Sequence, residues 1–383
     1  MKFYFIYSAG GGAGDWNGIK RVWGECMPEY MKSRILLKFG DVFLEHASGD
    51  KIIRPQRWKN ITNLRDWLSK NVSDDFIFSD KCNILLDSGT AKAVNLIAHH
   101  NPATNCEKLI ETFNKVFEQN NIFEKYVDIV CDSNIDSSVT FDIPNPFKIR
   151  SQNGNARLNI IEKESNDRLI ELSATYSNII YNGIRSKKGQ CFADSTTMTI
   201  INGTWSQKEI DLFLSKLAYK PNKIAIGALS SATINQKNIY TCLDNLAPFR
   251  FEKAGQLHFL GCGGFKKASA IKKYGFDGDN ISVDCSTFIN RSIDGNTNGT
   301  SQSGYFDYYT QRLIRITPET VNQILNLHTR VDNPLYTRDE LEEILTTILL
   351  HQSGRSSPET YNARAKLMLH NADVYRYNAE KKI

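Results

Sequence analysis

Apolar residues in this chain come in short runs, and several runs stop at glycine, aspartate or asparagine. The segment 257–287, LHFLGCGGFKKASAIKKYGFDGDNISVDCST, shows the unit. A short apolar run (257–260) ends in Gly261, Gly263 and Gly264. A lysine-bearing helical stretch (265–274) follows and stops at Gly275, a residue suited to a helix C-terminus. A second short run (280–283) ends at Asp284. Strand, helix, strand at this spacing predicts a parallel crossover unit.

The same pattern recurs. Strands are predicted at 2–7, 83–86, 126–131, 198–201 and 223–226. The residues that follow them are, in order, a glycine-rich turn, Asp87, Asp132, Asn202 and Gly227. Helical periodicity is clear at 105–119, where Leu109, Phe113, Val116 and Phe117 form one stripe, and is expected at 168–185. Ser206 and Glu209 form a capping-box pattern before a stripe of Ile210, Phe213, Leu214 and Leu217. Thr317-Pro318 and Thr337 with Glu340 predict two more helix starts. The second carries Leu341, Ile344, Leu345, Ile348 and Leu349, and the tail from Pro358 reads as a basic helix. Residues 133–155 and 294–304 read as long loops, and 185–195 as a basic turn.

About seven or eight short strands, each followed by a loop and a helix, suit a (β/α)8 barrel, with a doubly wound open sheet as the alternative. The expected organisation is one barrel domain over 1–383, with 133–196 an insertion and 305–383 a helical C-terminal part. In either fold the chemistry sits beyond the carboxyl ends of the strands. There Asp284 is a candidate nucleophile or general base, unless it only caps a turn.

Composition narrows the class. With 41% hydrophobic and 23% charged residues the chain is an ordinary globular protein rather than a disordered one. Its net charge of +5 permits a polyanionic partner without requiring one. No apolar run reaches the roughly 18 residues of a membrane helix, and the N-terminal run is too short and aromatic for a signal peptide, so a cytoplasmic protein is expected. The eight cysteines lack CxxC spacing and read as reduced thiols. The glycine run 10–14 lacks the spacing of a phosphate loop and reads as a turn near a ligand. Arg54, Arg57 and Trp58 are either a nucleic-acid contact or a solvated face.

Two carboxylates at one barrel mouth, Asp87 and Asp284, suit chemistry at a sugar carbon: one bonds the carbon while a second group moves a proton. Two nearby acids repel, which favours one keeping its proton. Asn202 and the backbone at Gly227, Ala228 and Leu229 suit a planar, hydrogen-bonding heterocycle.

These residues resemble a family. LLDSGTAKA at 85–93 is similar to the DSGGFQ segment of queuine/archaeosine-type tRNA-guanine transglycosylases. IINGT at 200–204 resembles their IVQGG, and IAIGALS around Ala225 their AIGGLA. HFLGCGG resembles LMGVG, ISVDCST resembles MFDCVLPTR, and His370-Asn371 looks like the HN of their C-terminal helix. The matches keep the family's order and span nearly the whole chain. The resemblance implies a barrel enzyme that exchanges guanine in a polynucleotide for a 7-deazaguanine. Asp284 would attack C1′ and hold the sugar covalently, and Asp87 would be the general acid/base. Asp132 would read the Watson–Crick edge of the base, with Asp142 in FDIP the other candidate. Ser88, Gly89, Gly203 and Gly261 would complete the substrate site. Asn202 stands where the family has glutamine, and Ala228 where it has glycine.

The departures matter as much. Family tRNA enzymes carry a CxCxxC…H zinc site after the nucleophile, a subdomain that helps dock tRNA. Residues 286–383 here contain no cysteine, so no structural zinc and no cofactor are expected. The resemblance is therefore closest to the DpdA-like DNA-guanine transglycosylases of phages and bacterial modification islands, which insert preQ0 or related bases into DNA. DNA would have to present a flipped nucleotide. Arg291, Lys266, Lys267, Lys272, Lys273, Lys187 and Lys188 are the candidate phosphate contacts. The expected partners are DNA and a free 7-deazaguanine, with no membrane; a homodimer is compatible with the sequence. Alternatives are a zinc-free tRNA-guanine transglycosylase, a non-catalytic nucleic-acid-binding barrel, and a glycosylase that admits water in place of a new base.

Overall fold

Eight strands close a barrel in sequence order: β1 (Lys2–Tyr7), β2 (Arg34–Lys38), β3 (Asn83–Asp87), β4 (Ser137–Val139), β5 (Thr197–Asn202), β6 (Lys223–Gly227), β7 (Gln256–Phe259) and β8 (Ile281–Asp284). β1 pairs with β8, and β3 to β7 pair in succession, all parallel. The protein is a (β/α)8 barrel. This computed structural model describes residues 1–7, 27–39, 62–66, 82–90, 106–143, 163–230, 234, 236–288, 304–350 and 358–381. The glycine run 10–14, the group Arg54, Arg57 and Trp58, Arg291, and most of the loops 133–155 and 294–304 lie outside the described residues.

The helices are α1 (Glu29–Lys32), α2 (Cys106–Gln119), α3 (Ile122–Asp132), α4 (Lys163–Lys188), α5 (Gln190–Thr196), α6 (Gln207–Ser215), α7 (Gln236–Leu246), α8 (Phe265–Lys273), α9 (Val321–His328), α10 (Arg338–Leu350) and α11 (Pro358–Glu380). A small antiparallel pair, β9 (Gly304–Phe306) and β10 (Leu313–Arg315), precedes the last three. The expected capping box of Ser206 with Glu209 is present, and Thr337, expected as a helix start, forms one with Glu340. Among the described residues no helix is long and apolar enough to cross a membrane, and Cys82, Cys131, Cys191, Cys242, Cys262 and Cys285 are free thiols.

Three expectations are corrected. Residues 126–131 are not a strand but lie within α3. Its buried Ile122, Tyr126, Val127, Ile129 and Val130 follow helical spacing, which a short apolar window does not distinguish from a strand. Residues 185–195 are not a turn: α4 runs through Lys188, and α5 follows Gly189, whose φ of +86° breaks the helix. The region 133–196 is not simply an insertion, because it supplies β4 of the barrel.

The described residues fall into two compact units, one with β1, β8 and everything from Gly261 onward, the other with β2 to β7. In the second, an aromatic layer of Phe39, Phe113, Phe117, Phe123, Tyr126, Phe141 and Tyr176 packs edge to face or tilted. In the first, α9, α10 and α11 share a core of Ile324, Leu325, Leu341, Ile344, Leu345 and Leu367 with Tyr305 of β9. The end of α11 is tied to the first strand, since the Glu380 carboxylate accepts from the Phe3 N–H and from Arg34 at 2.8 Å.

Candidate active site

Strand register decides which side chains of the β2–β7 unit point into the barrel. The Ser137 hydroxyl of β4 donates to Gln256 of β7 at 2.9 Å, and the Lys223 ammonium of β6 donates to the same hydroxyl at 2.9 Å. Side chains of non-neighbouring strands meet only inside a barrel, so these three point inward. Paired residues share a face and alternate residues return to it. Leu85 pairs with Ser137, Met198 with Lys223, and Asn202 with Gly227. Asp87, Asn202 and Gly227 therefore face inward, each the last residue of its strand.

Asp142 lies three residues beyond β4 and is buried. Burial, and then the negative charge of Asp87, push its carboxyl up to about 7. An acid held near neutrality in this way is a group poised to exchange a proton or a hydrogen bond with a ligand. Asp87 accepts the Gly89 N–H at 3.3 Å, and Gly89 sits at φ +67°. Ser88 is buried and bonds Thr90 at 3.0 Å. The Asn202 side-chain oxygen accepts from both the Thr204 N–H (3.0 Å) and hydroxyl (2.7 Å). Its Nδ2 makes no hydrogen bond among the described residues, so the amide presents a donor.

The turn after β6 is less open than its sequence suggests. The Gly227 carbonyl accepts from Gly203 N–H at 3.0 Å and Leu229 N–H at 2.9 Å, which uses both lone pairs and consumes the Leu229 donor. The Leu229-to-Gly227 bond closes a three-residue turn around Ala228, whose φ of +66° is strained for a residue with a Cβ. Gly203 packs under the same turn, where an added Cβ would stand 2.6 Å from Leu229 Cγ.

In the unit with β8, Asp284 is buried and ends its strand, sharing a face with its ladder partner Tyr4. The Gly261 N–H donates to Asp284 Oδ1 at 2.6 Å, and the Gly263 N–H donates to the Asp284 carbonyl at 2.7 Å. The turn 261–264 thus grips this residue by main chain and side chain. Gly261 takes φ +67° to do so. At Gly263 a Cβ would lie 2.8 Å from Phe3 and 2.9 Å from the Asp284 carbonyl oxygen, so only glycine fits.

The other predicted residues divide. Asp132 does not follow a strand: it is the exposed last residue of α3, before β4, on the amino-terminal side of that strand. Of the two candidates for reading a base, Asp142 is the one electrostatically coupled to Asp87. Lys272 is corrected as a phosphate contact, since it is buried and its ammonium donates to the Asn378 and Lys381 carbonyls at the end of α11. Lys267 is half-buried, and burial lowers its pKa. Lys187 is exposed but held by Asp128. Lys266, Lys273 and Lys188 are exposed. His370 and Asn371 are structural. His370 Nε2 donates to the Phe306 carbonyl at 3.0 Å, and the Asn371 amide bonds Phe306 N–H (2.9 Å) and Gly304 O (2.8 Å), clamping β9. The sequence reading missed the role of Gly263 in holding Asp284, for which the run GCGG was the only signal.

Among the described residues no group of three or more His, Cys, Asp or Glu could hold a metal ion. No protein-family model matches the chain, and no curated protein matches it.

Proposed function

We propose that this chain is a base-exchange transglycosylase that replaces guanine in DNA by a 7-deazaguanine such as preQ0. The observation that carries the reading is a buried Asp142, pushed up by burial and by Asp87, together with an inward-facing Asn202 at the end of β5. The N1–H and exocyclic amine of guanine are donors that a carboxylate accepts, and O6 is an acceptor that the Asn202 Nδ2 can serve. A 7-deazaguanine keeps that edge, so one pocket serves both leaving and entering base.

The reaction also requires Asp87 and Asp284 to face a single mouth. An Asp284 oxygen bonds C1′ as the C1′–N9 bond breaks, and Asp87, which takes up a proton before this step, gives it to the departing guanine. The incoming base then loses its N9 proton to Asp87, its nitrogen bonds C1′, and the sugar–Asp284 bond breaks. The Gly261 N–H supports this role of Asp284 by fixing one carboxylate oxygen before attack, which lowers the cost of orientation. The target nucleotide must leave the stack, at a cost of a few kcal/mol that phosphate contacts offset. Working in the cytoplasm, where DNA and free base are both present, belongs to the same reading.

Radiolabelled guanine offered with DNA or with tRNA tests the proposal. Label should enter DNA, and Asp284→Asn should reduce entry by at least about a thousandfold, as expected for loss of a covalent nucleophile. Entry into tRNA alone would replace DNA as the substrate, and abasic sites without label would mark a base-releasing glycosylase.

A further inference from the structure

Tyr126 of α3 is fully buried, and its hydroxyl lies 2.7 Å from the Val139 carbonyl and 3.0 Å from the Leu86 carbonyl. Leu86 immediately precedes Asp87. Val139 ends β4, one residue past the last β3–β4 pair, Leu86 with Ser138. The Tyr126 ring also stands edge-on to Phe141 at 5.0 Å and 84°, and Phe141 immediately precedes Asp142. Phe39 closes the other side of the ring at 5.0 Å. One side chain, delivered by a helix outside the sheet, therefore touches the chain next to both carboxylates.

We infer that Tyr126 is a positioning residue that fixes the spacing between Asp87 and Asp142 by bracing the carboxyl ends of β3 and β4. The inference rests on the transglycosylase reading for its functional meaning, but its geometry does not depend on that reading. A phenolic hydroxyl has one proton, and here it is shared between two buried carbonyls. Neither strand end can shift without losing its hydrogen bond from this hydroxyl. Asp87 directly follows the braced Leu86 carbonyl, and Asp142 directly follows Phe141, whose ring packs on Tyr126, so holding these two points holds the spacing between the carboxyls.

That spacing has a measurable correlate. Asp142 is held up by burial and by Asp87, the charged side chain acting on it among the described residues, and burial and Asp87 likewise raise Tyr126. A looser pair admits water and weakens the repulsion, so the Asp142 carboxyl moves back toward the ordinary carboxylate range. A tyrosine that merely filled the core would leave this titration unmoved.

The test is the carboxyl titration of Asp142 in the full chain, followed by carbon NMR with and without Tyr126→Phe, which keeps the ring and removes only the hydroxyl. We expect the midpoint to fall by about one pH unit or more, and kcat for guanine exchange to fall about tenfold. Phe141→Leu, which keeps the hydroxyl and removes the ring contact, should move the midpoint the same way by less. An unchanged midpoint in folded Tyr126→Phe, or in Phe141→Leu should the first variant not fold, would overturn the inference. The titration needs no turnover: inactive wild-type protein would refute the transglycosylase reading while the NMR midpoint still decided the role of Tyr126.

Discussion

Asp142 shows what burial does to a single carboxyl group in this site. It titrates at about 7, well above the ordinary value for aspartate, first because water is excluded and then because Asp87 is near. The sign of the consequence follows. Between the ordinary aspartate value and about 7 the folded chain binds the extra proton, so this group makes stability fall as pH rises through that window. Under the proposed base exchange, ligand binding would run the other way. A carboxylate accepts the guanine edge and a protonated acid does not accept it well, so binding releases a proton near neutrality. The affinity for guanine, measured by calorimetry, should therefore weaken as pH falls below about 7, by up to about tenfold per unit. Asp142→Asn should flatten that dependence and bind more weakly at pH 8. Asp132 is exposed at the end of α3. At this scale the chain sequence left Asp132 and Asp142 both open, and burial separates them.

Among the elements, β9 and α11 illustrate why a motif does not by itself reveal a role. His370 Nε2 and the Asn371 amide bond the backbone of β9. Burial drives the His370 imidazole down to about 3, so it stays neutral and holds its Nε2 proton on the Phe306 carbonyl. Asn371→Ala would leave a buried N–H and a buried carbonyl unpaired. It should lower the stability of the folded chain by about 2–4 kcal/mol in denaturant unfolding, without changing the pH dependence of base binding. Most strands were legible because three or four consecutive apolar residues ended in glycine or a polar side chain, as NILLD and KIAIG do. β2 and β4 were not. Arg34–Lys38 has basic residues at both ends, and Ser137–Val139 lies in a polar stretch where its inward serine bonds Gln256 and Lys223 instead of packing against apolar neighbours. The helix α3 was mistaken for a strand because its β-branched residues outweigh a period that needs a longer window to show.

For the whole molecule, alternation of strand and helix was enough to anticipate a closed parallel barrel, and the structure has one. A barrel of this kind hosts many chemistries, so the fold does not select a reaction. In the proposed reading selection comes from Asp87, Asp142 and Asn202, which would hold a guanine edge, and from Asp284, gripped by the Gly261 N–H, which would bond the sugar. The central claim is that a free 7-deazaguanine replaces guanine in DNA through that bond. The most direct measurement is mass analysis of nucleosides digested from DNA after incubation with the purified chain and preQ0. The account predicts a preQ0 deoxynucleoside together with released guanine, and neither product with Asp284→Asn. No modified nucleoside from the wild-type chain, or the same yield from Asp284→Asn, would contradict it.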